Sequence, residues 1–160
     1  MDKINNFTLY STPLDATTPR ISPSVADTGA AGTFLEMNAP YITNIKETDP
    51  GIKVLCPNNQ YLTSTHTVNL SFPNLPPTAK SAHLFEQLTS GSHLSIGQLC
   101  DAGCEAFFDA TRMVILSQQK IVLIGTRKRG GLWYVDTTDS TTQTPNFLRN
   151  FFTLLSNLLR

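Results

Sequence analysis

Residues 62–72 read Leu-Thr-Ser-Thr-His-Thr-Val-Asn-Leu-Ser-Phe, and their alternation decides the fold class. Leu62, Ser64, His66, Val68, Leu70 and Phe72 fall on one face of an extended chain, with Thr63, Thr65, Thr67, Asn69 and Ser71 on the other. A period of two marks a half-buried strand, because successive side chains point to opposite sides of the pleat. Upstream, Ile52 and Val54 read as a shorter strand and Pro57-Asn58-Asn59-Gln60 as a turn. Together these segments make a long hairpin with its tip near Asn58-Asn59. Farther back, Ile21 to Ala26 reads as a short strand running into Asp27-Thr28-Gly29-Ala30, and Phe34, Leu35 and Met37 form a second apolar patch.

Downstream, Pro73-Asn74-Leu75-Pro76-Pro77 is a stiff connection that ends any strand. Ala82 to Phe85 is a short strand. Ser95 to Gly103 reads as a short helix, with Ser95 as N-cap and Gly103 just past the C-terminus. Four apolar runs follow: 106–108, 113–116, 121–124 and 132–135. Ser117-Gln118-Gln119-Lys120 and Arg129-Gly130-Gly131 punctuate them, which predicts short strands joined by tight turns. Thr137 to Thr144 is a Ser/Thr-rich linker. Behind it Pro145 sits at a natural first helical position, and Phe147, Leu148, Phe151, Phe152, Leu154, Leu155, Leu158 and Leu159 cover one broad apolar face of a helix. Residues 1–20 hold no sustained period and read as a flexible arm. The organisation predicted is an arm (1–20), a domain (21–136) with an extra hairpin region (104–136), and a linker with a terminal amphipathic helix (137–160).

Composition agrees with a β-rich reading. The chain has 160 residues, 21 of them Thr and 12 Ser, and only 15% are charged against a usual value of about 25%. That length suits one compact domain. Twelve basic residues balance 12 acidic ones, which argues against a nucleic-acid footprint. No run approaches the roughly 18 apolar residues of a membrane span, and the start, MDKINNFTLY, shows no secretory signal. Three cysteines are too few for a disulfide scaffold and fit a reduced, intracellular chain. Cys100 and Cys104 are spaced C-x3-C, and His66, His83 and His93 are scattered, so no metal site is expected. No phosphate-binding loop or G-x-S-x-G elbow is present, and nothing calls for a cofactor. Arg127-Lys128-Arg129 reads as a solvated turn.

Asp27-Thr28-Gly29 is the one triplet with a mechanism attached. Such a triplet also occurs as an ordinary turn, with the aspartate capping its own loop and the threonine hydroxyl serving the turn. Its setting strengthens the catalytic reading, since it follows an apolar strand and precedes another apolar patch. An aspartic protease needs a carboxylate on a tight loop at a strand end. It needs a glycine that lets a partner backbone approach, and a hydroxyl that ties the loop to its symmetry mate. Two such carboxylates about 3 Å apart share one proton, since both cannot ionise. One then activates water while the other polarises or protonates the scissile carbonyl.

Residues 25–37, VADTGAAGTFLEM, resemble the catalytic segment of retropepsins. The stretch from Ile52 to Val135 is similar, more particularly, to the protease region of copia-type LTR-retrotransposon polyproteins. Pro57-Asn58-Asn59-Gln60, Asn74-Leu75-Pro76-Pro77, the run from His93 to Gly103, Phe108-Asp109, Ile124-Gly125-Thr126-Arg127 and Gly131-Leu132-Trp133-Tyr134 follow in that family's order. The resemblance implies a mainly β chain: a retropepsin-like closed β-barrel or sheet monomer with a short helix after the second motif, an extra C-terminal hairpin and the terminal helix. It implies a homodimer in which each chain supplies one Asp27, with Thr28, Gly29 and Ala30 as the active-site loop. Cys56, Pro57, Asn58, Asn59 and Gln60 correspond to the substrate-covering flap. His93, Leu94 and Ser95 correspond to a segment that braces the active-site loop.

The implied activity is endoproteolysis of the parent polyprotein, inside the cell in a cytoplasmic virus-like particle. A polypeptide is the expected substrate, with no direct nucleic-acid or membrane partner. The residues agree independently: the sequence holds one Asp-Thr-Gly, and Asp136-Thr137-Thr138 lacks the glycine, so forming the carboxylate pair, and with it activity, would require two chains. Ala31 stands where relatives often carry Asp, Thr or Ser, and Ser95 replaces the retroviral glycine. The alternative is a catalytically inactive or domesticated segment with a role in assembly.

Overall fold

The computed structural model describes residues 23–56 and 58–135, together with Thr153. The expected arm, Pro57, and the linker with its terminal helix, apart from the helical Thr153, lie outside the described residues. Within them the chain is mainly β, with twelve strands and one short α-helix. The strands are β1 (Val25–Asp27), β2 (Phe34–Glu36), β3 (Ile42–Glu47), β4 (Lys53–Leu55), β5 (Tyr61–Thr63) and β6 (His66–Leu70). They continue with β7 (Ser81–Phe85), β8 (His93–Ser95), β9 (Glu105–Phe108), β10 (Arg112–Ser117), β11 (Lys120–Arg127) and β12 (Trp133–Val135). Helix α1 (Ile96–Asp101) follows β8 directly.

Ten strands form one sheet in the order β3-β6-β7-β2-β8-β1-β12-β11-β10-β9, while β4 and β5 pair apart as a two-stranded hairpin. The sheet does not close. Its edges are β3 and β9, so the expected closed barrel is corrected to an open sheet. Two pairings are parallel, β1 with β8 and β2 with β7, and they flank the antiparallel contact of β2 with β8. This central block puts β1 in the interior of the sheet.

The alternation of 62–72 holds in burial: Ser64, Val68, Leu70 and Phe72 are buried, while Thr63 and Ser71 are exposed. It does not form one continuous strand. At Ser64 and Thr65 the chain changes partners. Ser64 exchanges backbone and side-chain hydrogen bonds with Ile52, its N–H donating to the Ile52 carbonyl at 2.9 Å and its Oγ accepting from the Ile52 N–H at 3.0 Å. Thr65 N–H instead donates to the Leu84 carbonyl at 3.0 Å, which begins the pairing of β6 with β7. Gly51 permits this crossing, since a Cβ there would lie 1.7 Å from the Ser64 carbonyl oxygen.

The helix caps follow the sequence. Ser95 Oγ accepts from Gln98 N–H at 3.1 Å, and Gly103 takes φ = 84° just past the helix end. The turn between β10 and β11 uses two consecutive left-handed residues, Gln118 and Gln119, which matches the twist of a tight hairpin. Strand β3 has no counterpart in the sequence reading, because its side chains are exposed almost throughout and carry no apolar period. A single core cluster runs from Ala26 and Leu35 through Leu84 and Leu94 to Ile115 and Val135. Residues 104–135 therefore share their core with the rest of the sheet. No described helix is long and apolar enough to cross a membrane.

Candidate active site

Strand β1 begins with two buried residues, Val25 and Ala26, and stops at a side chain that competes with the ladder. Asp27 Oδ1 accepts from Gly29 N–H at 2.8 Å and from Ala30 N–H at 3.1 Å. That turn ends the strand and holds one carboxylate oxygen rigidly. The loop is anchored from below. Ser95 Oγ donates to the Ala30 carbonyl at 2.6 Å, and Ser95 N–H donates to Thr33 Oγ1 at 3.2 Å. Thr33 N–H donates to Gln98 Oε1 at 3.0 Å, and Gln98 Nε2 reaches the Ser81 carbonyl at 2.6 Å. Ser95 is fully buried and Thr33 nearly so. The first turn of α1 therefore clamps residues 30–33 at both ends.

The second carboxylate oxygen has a different partner. The parallel register of β1 and β8 sets Val25 beside His93 and Asp27 beside Ser95, so His93 and Asp27 are diagonal neighbours on one face. His93 Nδ1 lies 2.9 Å from Asp27 Oδ2. The two side chains retain 29% and 31% of their exposure respectively, so the pair is open to a ligand.

Asp27 and His93 stand between two cavities. The larger, about 650 Å³, is bounded by Gly29, Ala30, Ala31 and Phe34 on the loop side and by Val54, Leu55, Cys56 and Leu62 of the β4–β5 hairpin. Phe85 and Leu88 add apolar wall, and Lys53 adds a cation. The smaller, about 300 Å³, lies against Val25, Thr28, Phe108, Leu132 and Trp133. Asp27 is the only carboxylate among the described residues lining either space. Within one chain this site offers a fixed carboxylate and an imidazole facing an apolar cleft, and it holds no second acid.

No family model matches the chain, and no curated protein or solved structure matches it.

The residues singled out in the sequence divide into three groups. Asp27, Gly29, Ala30, Cys56 and His93 line the larger cavity, while Thr28 faces the smaller one. Leu94 and Ser95 are buried behind the loop. Asn58, Asn59 and Gln60 form the hairpin tip, where Asn59 takes φ = 62° and Asn58 Oδ1 accepts from Gln60 N–H at 3.1 Å. They stand away from the cavity wall, which the hairpin shafts supply instead. The clamping role of Thr33 and Gln98 is not among the sequence expectations, although the spacing Ser95-x-x-Gln98 is that of a capping box. The pairing of His93 with Asp27 had no local signal, because the two lie 66 residues apart.

Proposed function

We propose that the chain is one half of a retropepsin-like aspartic endopeptidase that works as a homodimer and cleaves peptide bonds of its parent polyprotein. The observation that carries this reading is Asp27. One of its oxygens is fixed by two backbone N–H groups, while its carboxylate opens to a 650 Å³ apolar cleft roofed by a hairpin. In the dimer each copy brings one Asp27, the two carboxylates hold one proton between them, and water between them attacks the scissile carbonyl. The hairpin closes over the substrate and excludes bulk water.

Gly29 adds independent support. Its φ is not left-handed, and a Cβ there would meet only Asp27 Oδ1, at an ordinary 3.5 Å. Nothing among the described residues requires glycine at this exposed position, as a close approach by a second chain would. Residues such as Phe34, Val54, Leu62 and Leu88 favour apolar side chains on either side of the cleaved bond.

The test uses the full chain with denatured casein and a mixed fluorogenic peptide library. Turnover should be blocked by a hydroxyl-bearing transition-state mimic and left unchanged by EDTA. Asp27→Asn should remain folded and inactive, because the base is lost while the shape is kept. A folded Asp27→Asn chain with undiminished turnover would overturn the assignment. A second reading, a silent assembly segment, draws on Ala31, which presents only a methyl group to the cleft. It predicts a folded dimer without hydrolysis of any of these substrates.

A further inference from the structure

The Asp27 carboxylate is held at both oxygens by different parts of the chain. Oδ1 is taken by the loop's own amides from Gly29 and Ala30. Oδ2 is the oxygen left over for chemistry, and the protein group that reaches it is His93 Nδ1 at 2.9 Å. We propose that His93 is a positioning residue of the catalytic centre: its Nδ1–H donates to Asp27 Oδ2 and fixes the plane of the carboxylate toward the cleft. The proposal rests on the aspartic-peptidase reading above.

The chemistry of the pair sets the direction of the bond. An ionised carboxylate only accepts hydrogen bonds, so the imidazole must carry its proton on Nδ1. With the backbone amides alone, the carboxylate could still rock about its Cβ–Cγ bond, since both amides grip the same oxygen. A donor on the other oxygen, from a different strand, removes that freedom. His93 can hold this position because it belongs to a strand in the interior of the sheet, bonded to both β1 and β2. Its neighbours Leu94 and Ser95 are fully buried, so the imidazole is mounted on rigid backbone.

Other polar groups, on the cleft wall or on the neighbouring strands, are poorly suited to the same task. Lys53 and Cys56 belong to the β4–β5 hairpin, which pairs with no strand of the main sheet. Glu36 on β2 is committed to Gly91 N–H at 3.0 Å. Tyr134, across β1 from Val25, lies beneath Lys128 Nζ at 4.9 Å.

Two variants separate the donor from the bulk of the ring. Asparagine places its Nδ2 the same two bonds from Cβ as the imidazole Nδ1, so His93→Asn keeps a donor near Oδ2. His93→Leu keeps apolar volume and removes the donor. The expected result is a fall in kcat of about 10²-fold for His93→Leu, the scale of a small misplacement of a reacting group. Its KM should stay within roughly threefold, because the bond acts on the carboxylate and not on substrate binding. His93→Asn should recover kcat to within about tenfold of the parent chain. In parallel, ¹⁵N-correlated NMR of the parent chain should show His93 protonated at Nδ1. The Asp27→Leu chain should lose that preference.

If His93→Leu is folded and keeps its kcat, or if His93→Asn is as impaired as His93→Leu, the positioning role is refuted while the peptidase reading stands. If the parent chain hydrolyses no substrate, the peptidase reading and the positioning role of His93 fall together. A proton found on Nε2 with Nδ1 bare refutes the proposed bond regardless of turnover.

Discussion

Replacing Ser95 with alanine tests whether the clamp beneath the loop is as strong as its geometry implies. The hydroxyl makes two bonds at a fully buried position: it donates to the Ala30 carbonyl at 2.6 Å and accepts from Gln98 N–H at 3.1 Å. The second bond is the N-cap of α1, and losing a serine cap costs about 1 kcal/mol. The first satisfies a partly buried carbonyl, and losing it costs about another 1 kcal/mol. A Ser95→Ala chain should therefore be less stable by about 2 kcal/mol, or roughly 8 °C in Tm for a domain of this size. The assay is urea unfolding of the parent and variant chains, followed by circular dichroism and intrinsic fluorescence.

Thr33→Val supplies the cross-check, because it removes the acceptor for Ser95 N–H at 3.2 Å. The two changes belong to one network, so the double variant should fall short of the sum by at least about 0.5 kcal/mol. A Ser95→Ala loss below about 0.5 kcal/mol, or strict additivity in the cycle, would refute the clamp.

Gly51→Ala forces a Cβ to within 1.7 Å of the Ser64 carbonyl oxygen. It should destabilise the chain by at least about 2 kcal/mol, read by thermal melting, and an unshifted melt would contradict the close crossing at the hairpin base. Burial holds the His83 imidazole below its ordinary pKa of about 6.5, and its Nδ1 is buried without a partner. The unfolded chain therefore takes up the proton first. The stability from the neutral ring is complete above about pH 6.5 and is lost as pH falls through that value toward the lower folded pKa. His83→Leu should flatten the fall in urea midpoint between about pH 7.5 and pH 5, and an unchanged slope would count against the burial. If two chains complete the site, specific activity should drop on dilution below the dimer dissociation constant, whereas a demonstrated monomer of constant specific activity would end the dimer reading. The amides of Asn58 and Asn59 should exchange faster than those of β6 and slow when a transition-state mimic binds. Equal protection with and without the mimic would argue against a closing hairpin.

The sequence made legible whatever depends on neighbours along the chain. The alternation at 62–72 named the buried face of β6, and the Ser95 and Gly103 caps bracketed α1 to within a residue. The Asn58-Asn59 tip and the Gln118-Gln119 turn followed from local turn chemistry. Partner choice did not. Alternation states which face of 62–72 is buried, but not that Ser64 turns to Ile52 while Thr65 turns to Leu84. Strand β3 carries Thr43, Asn44, Lys46 and Glu47 and leaves no pattern to read, because it is a sheet edge with most side chains in water. The open sheet likewise lay beyond local signals, since closure depends on how β3 and β9 meet and no short segment records it.

The candidate site shows why that distinction matters, because it depends on the register of a three-residue strand. Along β8, His93 and Ser95 share one side and Leu94 the other. His93 meets the Asp27 carboxylate, Ser95 supports the loop behind it, and Leu94 is 1% exposed in the core. A slip of β8 by one residue would turn Leu94 toward the carboxylate and push the imidazole and the hydroxyl into the apolar cluster. Exposing Leu94 alone costs about 1.5–3 kcal/mol, and burying two polar side chains without partners adds more. Those penalties favour the observed register over its alternative far more strongly than three residues of ladder hydrogen bonds can. The core side chain thus keeps His93 opposite Val25, and so keeps its Nδ1 within reach of Asp27. Trimming that side chain, as in Leu94→Ala, weakens the hold on the register, so it should disturb the Asp27–His93 contact as well as the stability of the sheet.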